Sequence, residues 1–133
     1  MTEIIDRERA VELLRKQVEA KGTDYEYEAP ASIGRCVYFD NDGCPSCVVG
    51  YVLADLGVTL GGVHEIGRDP GSPSDSGNQI AISAVNVDGV QLTSGARHVL
   101  ATAQRAQDNG QPWGEALNLA VAAAASLRAE GTL

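Results

Sequence analysis

The chain has 133 residues, 44% of them hydrophobic and 21% charged, and its 18 acidic and 10 basic side chains leave a net charge of −8. That length fits one compact domain, and the apolar share is too high for a disordered chain. The longest apolar run, Leu119–Ala125, is far short of the roughly 20 residues that span a bilayer. The acidic start (Met1, Thr2, Glu3) lacks the basic flank of a secretory signal. The expectation is a single domain over residues 1–133 in a cytoplasm, with no membrane association. Basic residues cluster only at Arg7, Arg9, Arg15, Lys16 and Lys21, interleaved with Glu3, Glu8, Glu12 and Glu19. Such a mixed surface does not displace counterions from a duplex, so no nucleic-acid partner is expected. Cys36, Cys44 and Cys47 are too few, and odd in number, for a secreted disulfide framework.

The first segment, Ile4–Lys21, has helical spacing, with Ile4, Val11, Leu14 and Val18 on one stripe and Ala10 and Leu13 beside it. Glu3–Arg7 and Glu12–Lys16 are i,i+4 pairs on its polar side, and Gly22 ends it. Tyr25-Glu26-Tyr27-Glu28 breaks the pattern. Cys36–Phe39 reads as a short strand closed by the turn Asp40-Asn41-Asp42-Gly43. Pro45 suits a first helical position, which makes Cys44 the expected N-cap of a helix carrying Val48, Val49, Val52, Leu53 and Leu56 inward up to Gly57. Gly50 inside that helix implies a close neighbour.

Residues 67–78 contain no apolar side chain and read as a flexible surface loop. Val85-Asn86-Val87 and Val90-Gln91-Leu92 flank Asp88-Gly89, a strong hairpin signal. Thr93 or Ser94 caps a helix to about Gln107 with Val99, Leu100 and Ala103 inward, and Asn109-Gly110 stops it. Pro112 opens the last helix, striped by Trp113, Leu117, Ala120, Val121, Ala124 and Leu127. Its alanines permit close packing as an antiparallel helix hairpin. The predicted fold class is α+β, with four helices on a sheet of two to three strands.

Cys44-Pro45-Ser46-Cys47 is the sharpest chemical motif. A helix N-terminus favours thiolate, which is why thiol–disulfide enzymes place such pairs between a strand and a helix. Residues 37–47, with Leu53, Leu56-Gly57-Val58 and Val85–Gly89, resemble a glutaredoxin active-site segment. The resemblance implies Cys44 as nucleophile and Cys47 as resolving thiol. The sequence departs from that family in having Ile82-Ser83-Ala84 where a cis-proline faces the pair, Asp40 and Asp42 beside it, and Val48-Val49 after it. The competing reading puts Cys47 on the buried face of a helix and leaves no catalytic residue. A zinc site would draw on Cys36, Cys44, Cys47 and either His64 or His98, but only one short-spaced couple is present, so no metal or other cofactor is expected. The Gln104…Gln107-Asp108 block suits polar groups at a helix C-terminus.

Two blocks resemble a group of small uncharacterised proteins from actinobacteria and their bacteriophages. One is Pro45–Gly50 continuing through Val52-Leu53 to Leu56–Val58. The other is Ala103–Gly110 with Trp113–Ala116. The resemblance implies that Cys44 is incidental, because the pattern keeps Pro-x-Cys without the first cysteine. The functional expectation is a phage-encoded accessory protein that binds a host or phage protein through Tyr25, Glu26, Tyr27 and Glu28 and the loop at Arg68 and Asp69. The last helix is suited to a homodimer. A glutaredoxin-like oxidoreductase is the alternative.

Overall fold

A computed structural model describes residues 3–27, 37–40, 42–66 and 80–127. Asp6 organises the start of the chain. Its backbone is extended and its side chain accepts from the Arg9 amide at 2.9 Å, so helix α1 runs Arg7–Lys21. The residues ahead of that cap are therefore outside the helix, and Glu3–Ile5 form strand β1. The expected helical stripe is corrected accordingly. Ile5 is fully buried, whereas Ile4 is 64% exposed, because a strand sends neighbours to opposite faces. The expected ion pairs shift too: Lys16 reaches Asp55 at 3.2 Å, and Glu12 takes Arg9 instead.

Helix α2 is Val48–Asp55, strand β2 Val63–Glu65, β3 Val85–Val87 and β4 Val90–Leu92. Helix α3 spans Ser94–Asp108 and α4 spans Trp113–Ser126. The sheet order is β1-β4-β3-β2. β1 lies parallel to β4 (Ile5 opposite Leu92), while β2–β3 and β3–β4 are antiparallel. The Asp88-Gly89 hairpin forms as the sequence predicts. The sheet has four strands, not two or three, because β1 and β2 are three-residue edges too short to show alternation. Val37–Phe39 are not in it. Phe39 makes a single antiparallel bridge with Pro45, and the expected strand's first residue, Cys36, lies outside the described residues.

The aliphatic side chains of the sheet's inner face (Ile5, Val85, Val87, Val90, Leu92) and the apolar stripes of the four helices close one core around Trp113, Leu14, Leu53 and Leu100. α3 and α4 pack as the antiparallel pair that their alanines allow, with Ala103, Ala106, Ala116 and Ala120 buried. α1 lies across both. α4 is anchored at its start, where Trp113 N–H donates to the Tyr25 carbonyl (2.8 Å) and Gly114 N–H to that of Thr23 (2.9 Å). Among the described residues, no helix is long and apolar enough to cross a membrane.

Candidate functional site

The Cys44–Cys47 segment sits on a tight loop built by Asp40. Its carboxylate accepts from the amides of Asp42 (2.9 Å) and Cys44 (3.0 Å), while its own amide donates to the Cys44 carbonyl (2.9 Å). This is an Asx-type turn, which gives the Asp40 carboxylate its place in the loop. The chain then returns alongside itself, with Ser46 N–H donating to Tyr38 and Cys47 N–H to Val37. Tyr27 Oη and Ser46 Oγ lie 2.9 Å apart.

The helix begins three residues later than the sequence suggests, so Cys47 is the N-cap in place of Cys44. Its Sγ accepts from the Gly50 amide at 3.4 Å and its carbonyl from Tyr51. The Val48 amide, another orphan donor of the first turn, is answered at 2.8 Å by Oε1 of Gln107 on α3. Gly50 meets the close neighbour that its position in a helix implies. A Cβ there would stand 1.9 Å from the Tyr38 carbonyl oxygen, so the helix can approach the loop only without a side chain.

Cys44 is exposed and Cys47 is buried, with no solvent-accessible surface. Thiol–disulfide exchange needs a sulfur that an incoming disulfide can reach in line. An external disulfide can therefore meet Cys44 alone, and Cys47, buried while α2 stays docked, is confined to attack from within on a mixed disulfide at Cys44.

Of the remaining candidate residues that are described, Tyr27 reaches this loop and His64, His98 and Tyr25 are engaged elsewhere or exposed. His64, on β2, places Nε2 3.1 Å from Asp88 Oδ1 and ties the edge strand to the hairpin turn. His98 is exposed on α3. No three His, Cys, Asp or Glu side chains gather as a metal-binding group among the described residues. Tyr25 is half-buried, edge-on to Trp113 with ring centroids 4.6 Å apart. The Lys21 ammonium stands 5.2 Å from the Tyr25 ring and 4.9 Å from that of Tyr51. The Tyr51 hydroxyl's hydrogen bond raises the Lys21 pKa above its ordinary value. Tyr25 and Tyr27 thus direct their rings onto the fold, while Glu26 is exposed. Glu28, Arg68, Asp69, Cys36 and the loop 67–78 lie outside the described residues.

Three polar side chains matter more than the sequence suggests. Gln107 holds α2, and Gln104 Oε1 accepts the Ile82 amide at 3.0 Å. Both glutamines are buried, so they are internal braces and not the terminal polar groups that their place in α3 implied. Arg97 donates to the carbonyls of Ile82 and Val85 and bridges to Asn86, and burial lowers its pKa. The available signal for the glutamines was their spacing. Gln104 and Gln107 follow Leu100 and Ala103 by four positions each, on the face that α3 turns inward.

Comparison with protein-family models, curated proteins and solved structures finds no match to this chain.

Proposed function

We propose that the protein is an accessory factor without catalysis of its own, acting by binding another protein in a bacterial cytoplasm. The observation that carries this reading is the state of Cys47. The sulfur that a two-thiol mechanism would use for resolution is engaged as the N-cap of α2, where it accepts from the Gly50 amide. Three other buried polar side chains are likewise engaged with backbone: Gln107 with Val48, Gln104 with Ile82, and Tyr38 Oη with the Ile80 carbonyl. An origin in an actinobacterium or one of its bacteriophages belongs to the same proposal and rests on the two sequence blocks alone.

The outward side of α4 supports self-association within this reading. Leu119 is 42% and Val121 36% exposed, Ala122 and Ala125 lie beside them, and Glu115 is the helix's single charged residue. A helix apolar on both faces is unusual at a solvated surface. Two copies that each carry a net charge of −8 repel everywhere except across such a neutral strip. Light scattering is expected to show a dimer that Leu119→Glu dissociates.

The function is tested by assaying the chain and its Cys44→Ser variant for glutathione-dependent reduction of a mixed disulfide. In parallel, a complex is reconstituted with a purified protein recovered from bacterial lysate. The accessory reading expects a stoichiometric complex indifferent to Cys44→Ser and no turnover above that of the variant. Turnover abolished by Cys44→Ser would establish the oxidoreductase instead.

A further inference from the structure

A groove of about 300 Å³ opens between the 3-10 turn Ile82–Ala84 and α3, lined by Ala81, Ser83, Ala101, Gln104, Arg105 and Asp108. Its volume is at the small end of ligand sites. The α3 residues stand at i, i+3, i+4 and i+7, so they form one ridge facing the turn.

Gln104 is the informative residue. It is only 8% exposed, and its Oε1 is committed to the Ile82 amide, since a backbone N–H there needs an acceptor. That commitment fixes the orientation of the amide and leaves Nε2 as a pure donor with no acceptor among the described residues. Gln104 is one of the residues that line the groove. A donor whose orientation is fixed beside a concavity suits a ligand acceptor. Arg105 and Ser83, on either side of the groove, also have no side-chain partner among the described residues. Gln104, Arg105 and Ser83 therefore present donors with a cationic fork, the chemistry that recognises a carboxylate. Asp108, the one acid among the described lining residues, already accepts from Gln107 Nε2 at 2.9 Å and retains acceptor capacity. It opposes a bare anion but suits a ligand that carries an N–H next to its carboxylate.

We propose that this groove binds an α-carboxylate flanked by an N–H, as found on a free amino acid or at the C-terminal residue of a polypeptide. The binding uses no thiol and is independent of what Cys44 and Cys47 do.

The test is a titration of the ¹⁵N-labelled chain with glycine, triglycine and triglycine amide, followed at the Gln104 side-chain amide. The expected result is a saturable shift with triglycine, with a dissociation constant of about 1–10 mM for so small a probe. Saturation with glycine as well identifies free amino acids as ligands, and saturation with triglycine alone identifies a chain terminus. Arg105→Ala is expected to weaken binding about tenfold and Ser83→Ala about threefold. Neither side chain has a hydrogen-bond or ion partner among the described residues, so the fold is expected to tolerate either change. No saturable shift with glycine or triglycine, an equal response to triglycine amide, or unchanged binding in Arg105→Ala would overturn the proposal.

Discussion

At the start of α3 the hydroxyl of Thr93, the residue just ahead of the helix, accepts the Ala96 amide at 3.1 Å. At the start of α2 the Val48 amide is answered by Gln107, 59 positions further along the chain, at 2.8 Å. The two helix starts satisfy the same kind of orphan donor, one locally and one through the tertiary fold. A local cap survives as long as its own turn does. A remote one exists only while α2 and α3 are docked, so α2 is bound to the cooperative core at both its apolar face and its polar end. The close pass of Gly50 against Tyr38 belongs to the same arrangement, since it brings the loop 37–47 under the helix that Gln107 holds.

The comparison can be broken most severely at Gly50. Gly50→Ala places a methyl group 1.9 Å from the Tyr38 carbonyl oxygen, where backbone must move. It is expected to cost about 3 kcal/mol or more, read as a lowered urea midpoint. A variant of wild-type stability would show that α2 is free to shift. Next in size, Gln107→Leu removes the remote acceptor and leaves the Val48 amide buried without one, a loss of about 2 kcal/mol. Hydrogen exchange at Val48 should accelerate to match. Thr93→Ala, the local counterpart, is expected to cost about 1 kcal/mol, with Thr93→Asp restoring it because a carboxylate also accepts from the first turn. If the Thr93 change proves costlier than the Gln107 change, the contrast between local and remote caps fails.

The smallest effect is expected at Lys21. Lys21→Met removes the ammonium from between Tyr25 and Tyr51 at a cost of about 0.5 kcal/mol for so exposed a group. The folded-state pKa of Lys21 is raised from the ordinary value of 10.5. Its contribution is therefore complete below that value and disappears as pH rises through the raised one. Denaturation of wild type and variant across alkaline pH should show the difference closing in that direction.

The two caps also mark how far the sequence could be read. Thr93 stands directly before an amphipathic run, so both the cap and α3 are visible in the sequence. The Asp88-Gly89 hairpin, the Asn109-Gly110 stop and the implied neighbour of Gly50 are legible for the same reason: each signal lies within a few residues of what it specifies. The cap of α2 was misplaced onto Cys44 because Pro45 is a good first helical residue in isolation. Its bridge to Phe39 holds Pro45 outside the helix. Ile4 fitted a helical stripe until Asp6 took the cap and released β1 to pair with β4, whose partner residues lie nearly ninety positions away. Tyr25-Glu26-Tyr27 alternates like an exposed strip, yet it is Trp113 and Ser46 that engage its two rings. The groove at Gln104 was invisible for a related reason. A glutamine late in a helix reads as a solvated end group until the turn at Ile82 packs over it.

Residue type and spacing alone determined the α+β class, the four helices, the central hairpin and the pairing of α3 with α4. These follow from backbone preferences and from the period of apolar side chains, which act over one or two turns of chain. Tertiary packing alone decided which remote side chain answers the first turn of α2 and which residues of α3 face the groove at Ile82. Those outcomes depend on what remote segments bring within about 3 Å of one another, the range over which a hydrogen bond forms, and no local pattern encodes that distance.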